Sequence, residues 1–375
     1  MIDPPQQAEF AEKLERVQAL LEAERLHGLL LGTQRNFAWL SCGGDNHVGL
    51  ATTDGVAFLL VLRDGQRLVL MANNERPRIT EEELSGLGFE PIELPWYELR
   101  ANPRHLIGTI AAFVNPDSIG TDTAVGNLLN IEAKFAPLRY RLTDAEIERY
   151  RTHGHACATA IEETAREVRI GMSEKEVESL LAYKLMKHGA RPTVLLVASD
   201  ERFFKYRHPI PTERKIERYV CLSTCARRWG LTVAITRLVH FGAVPAETER
   251  RYQTLLKVEA KLMAHTRPGI KSGDLFDLLA GWYAAEGFEG EWRNHHQGGA
   301  TGYIERDWVA YPDGPHIVQP RQAFAWNPTI AGVKAEDTML THDTGNEIIT
   351  QTDDWPKVEI EAAGHHLILP QILKL

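Results

Sequence analysis

The sequence has few of the features that mark secreted, membrane-spanning or nucleic-acid-binding proteins. Only four of its 375 residues are cysteine, which is typical of reduced thiols in the cytoplasm rather than of a disulfide framework. No run of apolar residues is long enough to span a bilayer, and the opening MIDPPQQAEF has neither the basic nor the apolar region of a signal peptide. We therefore expect a cytoplasmic protein that does not bind membranes.

An excess of positive charge is also missing. The net charge is -9 and the pI is about 5.9, whereas binding to nucleic acids or anionic lipids depends on a basic surface. What is present is an ordinary globular composition, 43% hydrophobic and 25% charged, in a chain long enough for two domains. We expect no nucleic-acid partner.

Helix and strand patterns divide the chain near residue 140. An amphipathic helix begins near Phe10. Strand-like runs follow at 28–32, 37–42, 56–62 and 67–71, and alternate further on with helical segments. This pattern predicts a small α/β domain over residues 1–140. A threonine-to-glutamate capping box at Thr143 and Glu146 then predicts the first helix of a second domain, residues 141–375.

The second domain contains an internal repeat with an offset of 98 residues. Without a gap, Gly171 aligns with Gly269, and the apolar stripe of the helix that follows each glycine aligns as well. Both copies read as a glycine turn, a helix of about four turns, a closing glycine and a strand. The repeat predicts two αβ halves related by a pseudo-two-fold axis around a central site.

A pair of strand-like runs follows the lone histidine His208. The runs cover 220–227 and 231–241 and are joined at Trp229 and Gly230. Because side chains alternate along a strand, Ser223 and Ala234 are predicted to face the same site from neighbouring strands.

Three segments resemble the pita-bread family of methionine aminopeptidase, aminopeptidase P, prolidase and creatinase. They are the run from His208 to Gly242, HHQGG at 295–299 and NPTIAGVKAEDT at 327–338. The family's order is a histidine before a proline-containing loop, then "liDxGa", "sDiTRt", "GHGiG", "EPgiy" and "riEDtvl". The resemblance implies an α/β N-terminal domain, an α+β pita-bread C-terminal domain with a pseudo-two-fold repeat, and a homodimer.

This chain departs from the family at the metal site. The resemblance implies five ligands for two divalent metals, at the positions of Ser223, Ala234, His296, Asn327 and Glu336. Only His296 and Glu336 keep a ligating side chain, and two ligands do not hold two metals. We predict no cofactor; the alternative left open is a single weakly bound divalent metal on His296 and Glu336.

The resemblance to creatinase, which hydrolyses a carbon–nitrogen bond without metal, implies that His208 acts as general base and acid. Imidazole titrates near neutral pH and can carry a proton from water to a leaving nitrogen. Glu336 would orient His208 or the substrate cation, and His296 completes the catalytic candidates. The expected substrate is a small molecule or short peptide, and its candidate contacts are Tyr303, Asn327, Ser223, Arg237 and Trp39.

Three alternatives remain open at this point. The first is an Xaa-Pro type metallopeptidase with an incomplete metal site. The second is a peptide-binding protein without catalysis, since fold alone does not imply activity. The third is nucleophilic attack by Ser223 with His208 as its base, although no glycine elbow surrounds the serine.

Overall fold

The computed structural model describes residues 4–102 and 104–375. It contains two compact units. The first runs to Arg139 and takes in Thr143–Glu146, and the second comprises Tyr140–Leu142 and Ile147–Leu375. Among the described residues, no helix is long and apolar enough to cross a membrane. The four cysteines are free thiols.

A mixed six-stranded sheet forms the centre of the first unit. The strands are β1 (Gly28–Thr33), β2 (Asp54–Leu62), β3 (Arg67–Ala72), β4 (Glu90–Leu94), β5 (Ile119–Thr121) and β6 (Leu129–Asn130), in the order β4-β3-β2-β1-β5-β6. The helices are α1 (Pro4–Ala23), α2 (Gln34–Leu40), α3 (Arg76–Arg78), α4 (Trp96–Ala101), α5 (Arg104–Ile110) and α6 (Glu132–Phe135). A π-helical turn covers Ile79–Glu83, and 3-10 turns cover Pro116–Ser118 and Ala136–Arg139.

The strand predicted over 37–42 is wrong, because residues 37–40 belong to helix α2 and residues 41–42 form a turn. Thr33 caps the helix by accepting a hydrogen bond from the backbone of Asn36, which satisfies one of the free amides of the first turn. Trp39 has no exposed surface. Its ring packs edge-on against Phe135, with 5.3 Å between ring centroids. Trp39, predicted as a substrate contact, is thus a core side chain of the first unit.

The second unit contains the remaining helices and four sheets. Its helices are α7 (Asp144–Glu167), whose first residues belong to the first unit, α8 (Glu174–Lys187), α9 (Glu201–Lys205), α10 (Ala246–His265), α11 (Ser272–Ala285) and a 3-10 turn at Glu291–Asn294. Its strands are β7 (Arg191–Ser199), β8 (Tyr219–Arg228), β9 (Leu231–His240), β10 (Gly298–Thr301), β11 (Trp308–Val309), β12 (Ala323–Trp326), β13 (Thr329–Ile330), β14 (Val333–Lys334), β15 (Asp337–Thr341), β16 (Asn346–Ile348), β17 (Lys357–Ala362), β18 (His365–Pro370) and β19 (Leu373–Lys374). The sheets have the orders β19-β9-β8-β7, β11-β10-β12-β15-β16, β13-β14 and β17-β18.

The 98-residue repeat is visible in the structure. Helices α8 and α11 have 14 residues each, and α11 begins 98 residues after α8. The glycines before them, Gly171 and Gly269, have φ angles of 88° and 92°, a left-handed conformation that glycine adopts without a steric penalty. The apolar stripe of each helix is buried at Val177 and Leu275. The predicted helix of each half is confirmed.

The two runs predicted after His208 form an antiparallel hairpin. Strands β8 and β9 are joined by Trp229 and Gly230, with φ angles of 53° and 78°, as a tight two-residue hairpin turn requires. Ser223 lies opposite Thr236 across the pair. The predicted capping box is also confirmed, because Thr143 and Glu146 exchange backbone and side-chain hydrogen bonds of 2.7 and 3.2 Å.

Candidate active site

The candidate site is built around the carboxylate of Glu336, which lies just before β15 and is almost fully buried. It accepts hydrogen bonds from Thr236 (2.7 Å), Ser223 (3.1 Å), Lys334 (2.7 Å) and Arg306 (3.3 Å). Burial by itself would raise the pKa of this carboxyl, but the charges of Lys334 and Arg306 lower it to about 2. Glu336 is therefore ionised throughout the physiological pH range.

Lys334 also belongs to this site, although it was not among the residues predicted from the sequence. This residue is on strand β14, and its side chain is only 6% exposed. Its Nζ lies 2.8 Å from Ser223 Oγ and 2.7 Å from Glu336 Oε2. A signal was available, because Lys334 and Glu336 are two residues apart in an extended segment and so share one face. Lys334 also stands at the first position of the "riEDtvl" motif.

The pair of metals implied by the resemblance does not fit these residues. Ser223 and Ala234 offer a hydroxyl and a methyl group where two carboxylates are expected, and Asn327 offers a neutral amide. The Lys334 ammonium is hydrogen-bonded to two of the ligand positions, Ser223 and Glu336. Divalent cations need several anionic oxygens to offset their charge, and here a fixed cation already occupies the one carboxylate that remains.

Three histidines form a cluster beside this carboxylate. His295 Nε2 lies 3.0 Å from His208 Nε2, and the rings of His295 and His296 stack with centroids 4.3 Å apart. The ligating nitrogens of the three side chains lie within 4.8 Å of one another, a set that can hold a metal ion. Sequence reasoning missed His295, because residues next to each other in an extended chain ordinarily face opposite ways.

The electrostatics of the cluster favour neutral imidazoles. Burial and then the positive charge of Lys334 lower the pKa of His208 and lower that of His295 to about 2. Burial and then Arg306 lower the pKa of His296 to about 4. Neutral imidazole is both a metal ligand and a general base. However, Nδ1 of His295 and of His296 makes no hydrogen bond, whereas metal-bound imidazoles are normally oriented by a partner on the second nitrogen.

Several buried polar atoms of residues around Glu336 have no hydrogen-bond partner among the described residues. They are Asn327 Oδ1, Arg306 Nε and His296 Nδ1. Buried polar groups without a hydrogen bond are rare in native proteins, and a bound ligand is one reason for them. The three atoms comprise an acceptor, a donor and a ring nitrogen of either role, which is what a small polar ligand needs.

The predicted contact between Glu336 and His208 is not formed. His208 is hydrogen-bonded to His295, and Glu336 is held by Lys334, Arg306 and two hydroxyls. Glu336 therefore orients the lysine rather than the histidine, and acts on His208 through its charge.

Arg237 and Tyr303, two further side chains predicted to contact the substrate, are both buried. Arg237, which alternation places on the opposite strand face from Thr236, is 1% exposed and pairs with Asp337 at 3.1 Å. It also donates to the carbonyl oxygens of Thr236 and Thr350. This is a structural ion pair, so Arg237 is not a substrate clamp. Tyr303 follows β10 and is 2% exposed.

Comparison with known proteins places this architecture among the pita-bread hydrolases. Residues 148–343 match metallopeptidase family M24, and the chain belongs to this family. The match confirms the resemblance drawn from the sequence motifs.

Relatives in the family are distant. An uncharacterized peptidase of Staphylococcus saprophyticus is 21% identical over 90% of this chain and 99% of its own. The Xaa-Pro dipeptidase of Pyrococcus horikoshii is 24% identical over 52% of this chain and 58% of its own. Among solved structures, the Xaa-Pro dipeptidase from Bacillus anthracis has a TM-score of 0.78 at 18% identity and covers 98% of this chain and 100% of its own. Prolidase from Thermococcus sibiricus has a TM-score of 0.79 at 18% identity and covers 100% of both chains. These likenesses show the fold.

Proposed function

We propose that this protein hydrolyses a carbon–nitrogen bond in a small amide, amidino or dipeptide-like compound without a metal ion. His208 is the general base and acid. The observation that carries the proposal is that the carboxylate of Glu336 is hydrogen-bonded to side chains of the protein. Its partners are Lys334, Arg306, Ser223 and Thr236. The other three positions that the resemblance assigns to carboxylate ligands are Ser223, Ala234 and Asn327. Proton transfer is then the chemistry that these side chains support.

The proposed reaction uses one water molecule. Nδ1 of His208 makes no hydrogen bond with the described residues, while Nε2 is held by His295. A neutral His208 accepts a proton from water as the oxygen attacks the carbonyl carbon, and the carbonyl electron pair moves to its oxygen. When the carbonyl re-forms, the carbon–nitrogen bond breaks, its electron pair stays on nitrogen, and His208 returns the proton to that nitrogen. Asn327 and Tyr303 are proposed to bind polar groups of the substrate.

The test is His208→Ala, assayed against small amides and dipeptides that include N-acetylglycine and glycylproline. We expect loss of turnover by roughly 10²- to 10⁴-fold, the usual contribution of general acid–base catalysis. The matched control is His155→Ala, which removes an exposed imidazole of the second unit and should keep full activity. Unchanged rates in His208→Ala, with the fold intact by circular dichroism, would remove this mechanism.

A second candidate function is favoured by one observation, the histidine cluster. If His208, His295 and His296 hold one divalent ion, the protein is a metal-assisted peptidase of the Xaa-Pro type with a rearranged site. Turnover of glycylproline after dialysis against chelator separates the two candidates. The metal-free proposal expects no change, and the metal-assisted one expects loss that Mn²⁺ or Zn²⁺ restores.

A further inference from the structure

The cation of this site is part of the chain, which bears on the kind of substrate that it accepts. Lys334 Nζ contacts Ser223 and Glu336, at 2.8 and 2.7 Å. Both residues stand at positions where the family motifs carry metal ligands. A lysine ammonium is a compact point charge with three hydrogens and no acceptor. Two hydrogens are directed at these oxygens, which leaves one for a ligand.

Glu336 and the two cations that contact it do not balance in charge. The single carboxylate is shared by two cations, because Arg306 Nη2 lies 3.3 Å from Glu336 Oε1 while Lys334 holds Oε2. The side chains of Lys334 and Arg306 are 6% and 12% exposed, so water screens them weakly. These three groups carry a net charge of +1. Part of the same positive field lowers the pKa of the neighbouring His208 and His296.

The unpartnered atoms at the site define which functional group complements it. Within the part of the chain that the structure describes, Arg306 Nε is a donor without an acceptor, and Asn327 Oδ1 is an acceptor without a donor. A complementary ligand therefore has an oxygen that accepts from Lys334 Nζ and Arg306 Nε. It also has an N–H that donates to Asn327 Oδ1. An amide or an N-acyl amino acid has both groups. An amidinium has donors only and is itself positive.

We propose that Lys334 replaces the metal as the cation of this site, and that with Arg306 it makes the site selective for amides carrying a negative charge over amidino cations. The inference rests on the proposed hydrolysis and narrows its substrate class. Lys334 contacts the carbonyl oxygen and stabilises the negative charge that develops there, which is the role that a metal has as a Lewis acid.

The test uses three probes that differ in charge: N-acetylglycine is negative, acetamide is neutral and acetamidine is positive, and the last two are matched in size. Each is titrated into the ¹⁵N- and ¹³C-labelled full-length protein, and binding is read from the NMR signals of the His208 and His296 rings. We expect N-acetylglycine to bind most tightly and acetamidine least, with a difference of about tenfold or more, as expected for one unit charge in a partly buried site. Equal affinities of the native protein for acetamidine and N-acetylglycine would overturn the inference. This measurement needs no variant.

The variants assign the preference to Lys334. Lys334→Met should reduce the preference for N-acetylglycine by about tenfold and raise the pKa of His208 and His296, while Lys334→Arg should keep the order of the probes. The matched control is Lys257→Met, which removes a lysine that is 52% exposed and paired with Glu286, and should change neither. An unchanged order of binding in a folded Lys334→Met protein would contradict the inference.

These measurements read the order of binding and not the rate of hydrolysis, so the two proposals fail separately. An active His208→Ala protein would remove the proposed hydrolysis mechanism and leave the order of the probes intact. An order without charge preference would remove the role of Lys334 and leave His208 as the general base.

Discussion

Glu336 and Asp337 are neighbours in the chain, yet they lie in opposite kinds of environment. Asp337 pairs with Arg237 and accepts from the Thr350 hydroxyl at 2.6 Å, so this carboxylate is enclosed by partners. Glu336 faces two cations, two hydroxyls and several polar atoms that have no partner. Asp337 and Arg237 therefore form a structural ion pair, whereas Glu336 belongs to a site prepared for a ligand. Buried polar groups without a partner destabilise the fold, so they are expected where a ligand supplies the missing partner.

The largest effect on stability is expected at the ion pair of Arg237 and Asp337. Arg237→Met leaves Asp337 buried without its cation, and removing one partner of a buried pair destabilises a protein by about 3–5 kcal/mol. Urea unfolding of the variant measures this loss. The double variant R237M/D337N should recover most of it. If Arg237→Met lost less free energy of unfolding than Lys334→Met, the distinction between a structural ion pair at Asp337 and a ligand site at Glu336 would be wrong.

Restoring the lost metal ligands tests whether Lys334 excludes a metal ion from Glu336. A triple variant, Ser223→Asp with Ala234→Asp and Asn327→Glu, restores the carboxylates but keeps the lysine. Adding Lys334→Met should increase its affinity for Mn²⁺ by about tenfold or more, because a fixed ammonium no longer opposes the ion. Isothermal titration of both proteins gives the two affinities, with circular dichroism as the check on folding. Equal affinities would show that Lys334 does not compete for the metal position.

The third prediction concerns pH. A general base acts in its neutral form, and the pKa of His208 is lowered from 6.5 by burial and by Lys334. The acidic limb of the kcat/KM profile should therefore have its midpoint below about pH 6.5, the ordinary value for histidine. His295→Phe removes the hydrogen bond to His208 Nε2 and should displace that midpoint. A profile that does not change in His295→Phe would mean that His295 has only a packing role.

The smallest effect is expected from Ser223→Ala. Its hydroxyl is one of several donors to Glu336, and Thr236 contacts the same carboxylate oxygen at 2.7 Å. Loss of one such hydrogen bond is worth about 1 kcal/mol, or within about tenfold in rate. Complete loss of turnover in a folded variant would instead support Ser223 as the nucleophile.

The parts of this structure that the sequence predicted are those with local chemical signals. The hairpin is readable because its strands alternate and a glycine follows Trp229 at the turn, and the capping box is readable because Thr143 and Glu146 are three residues apart. The repeat follows from its spacing of 98 residues, and the ligand positions follow from the resemblance to the pita-bread family. The sequence also placed Ser223 and Glu336 at one site, where they are 3.1 Å apart.

What could not be predicted depends on contacts between distant segments. The role of Lys334 requires β14 to lie against β9 and against β8, the strand that carries Ser223. The hydrogen bond between His208 and His295 joins residues that are 87 positions apart. Helix α2 was predicted as a strand because a short apolar run fits either period, and the cap at Thr33 decided between them. Lys334 lies beside the ligand positions that the resemblance implies but is not one of them, so the resemblance gave no signal for it.

The account depends most on the claim that a lysine, and not a metal, supplies the positive charge at Glu336. The most direct test is to determine the metal content of the native protein together with its turnover, before and after dialysis against chelator and then with Mn²⁺ added. We predict no stoichiometric metal and the same rate in all three states. One or two equivalents of bound metal, with a rate that falls on their removal and returns with Mn²⁺, would contradict the account.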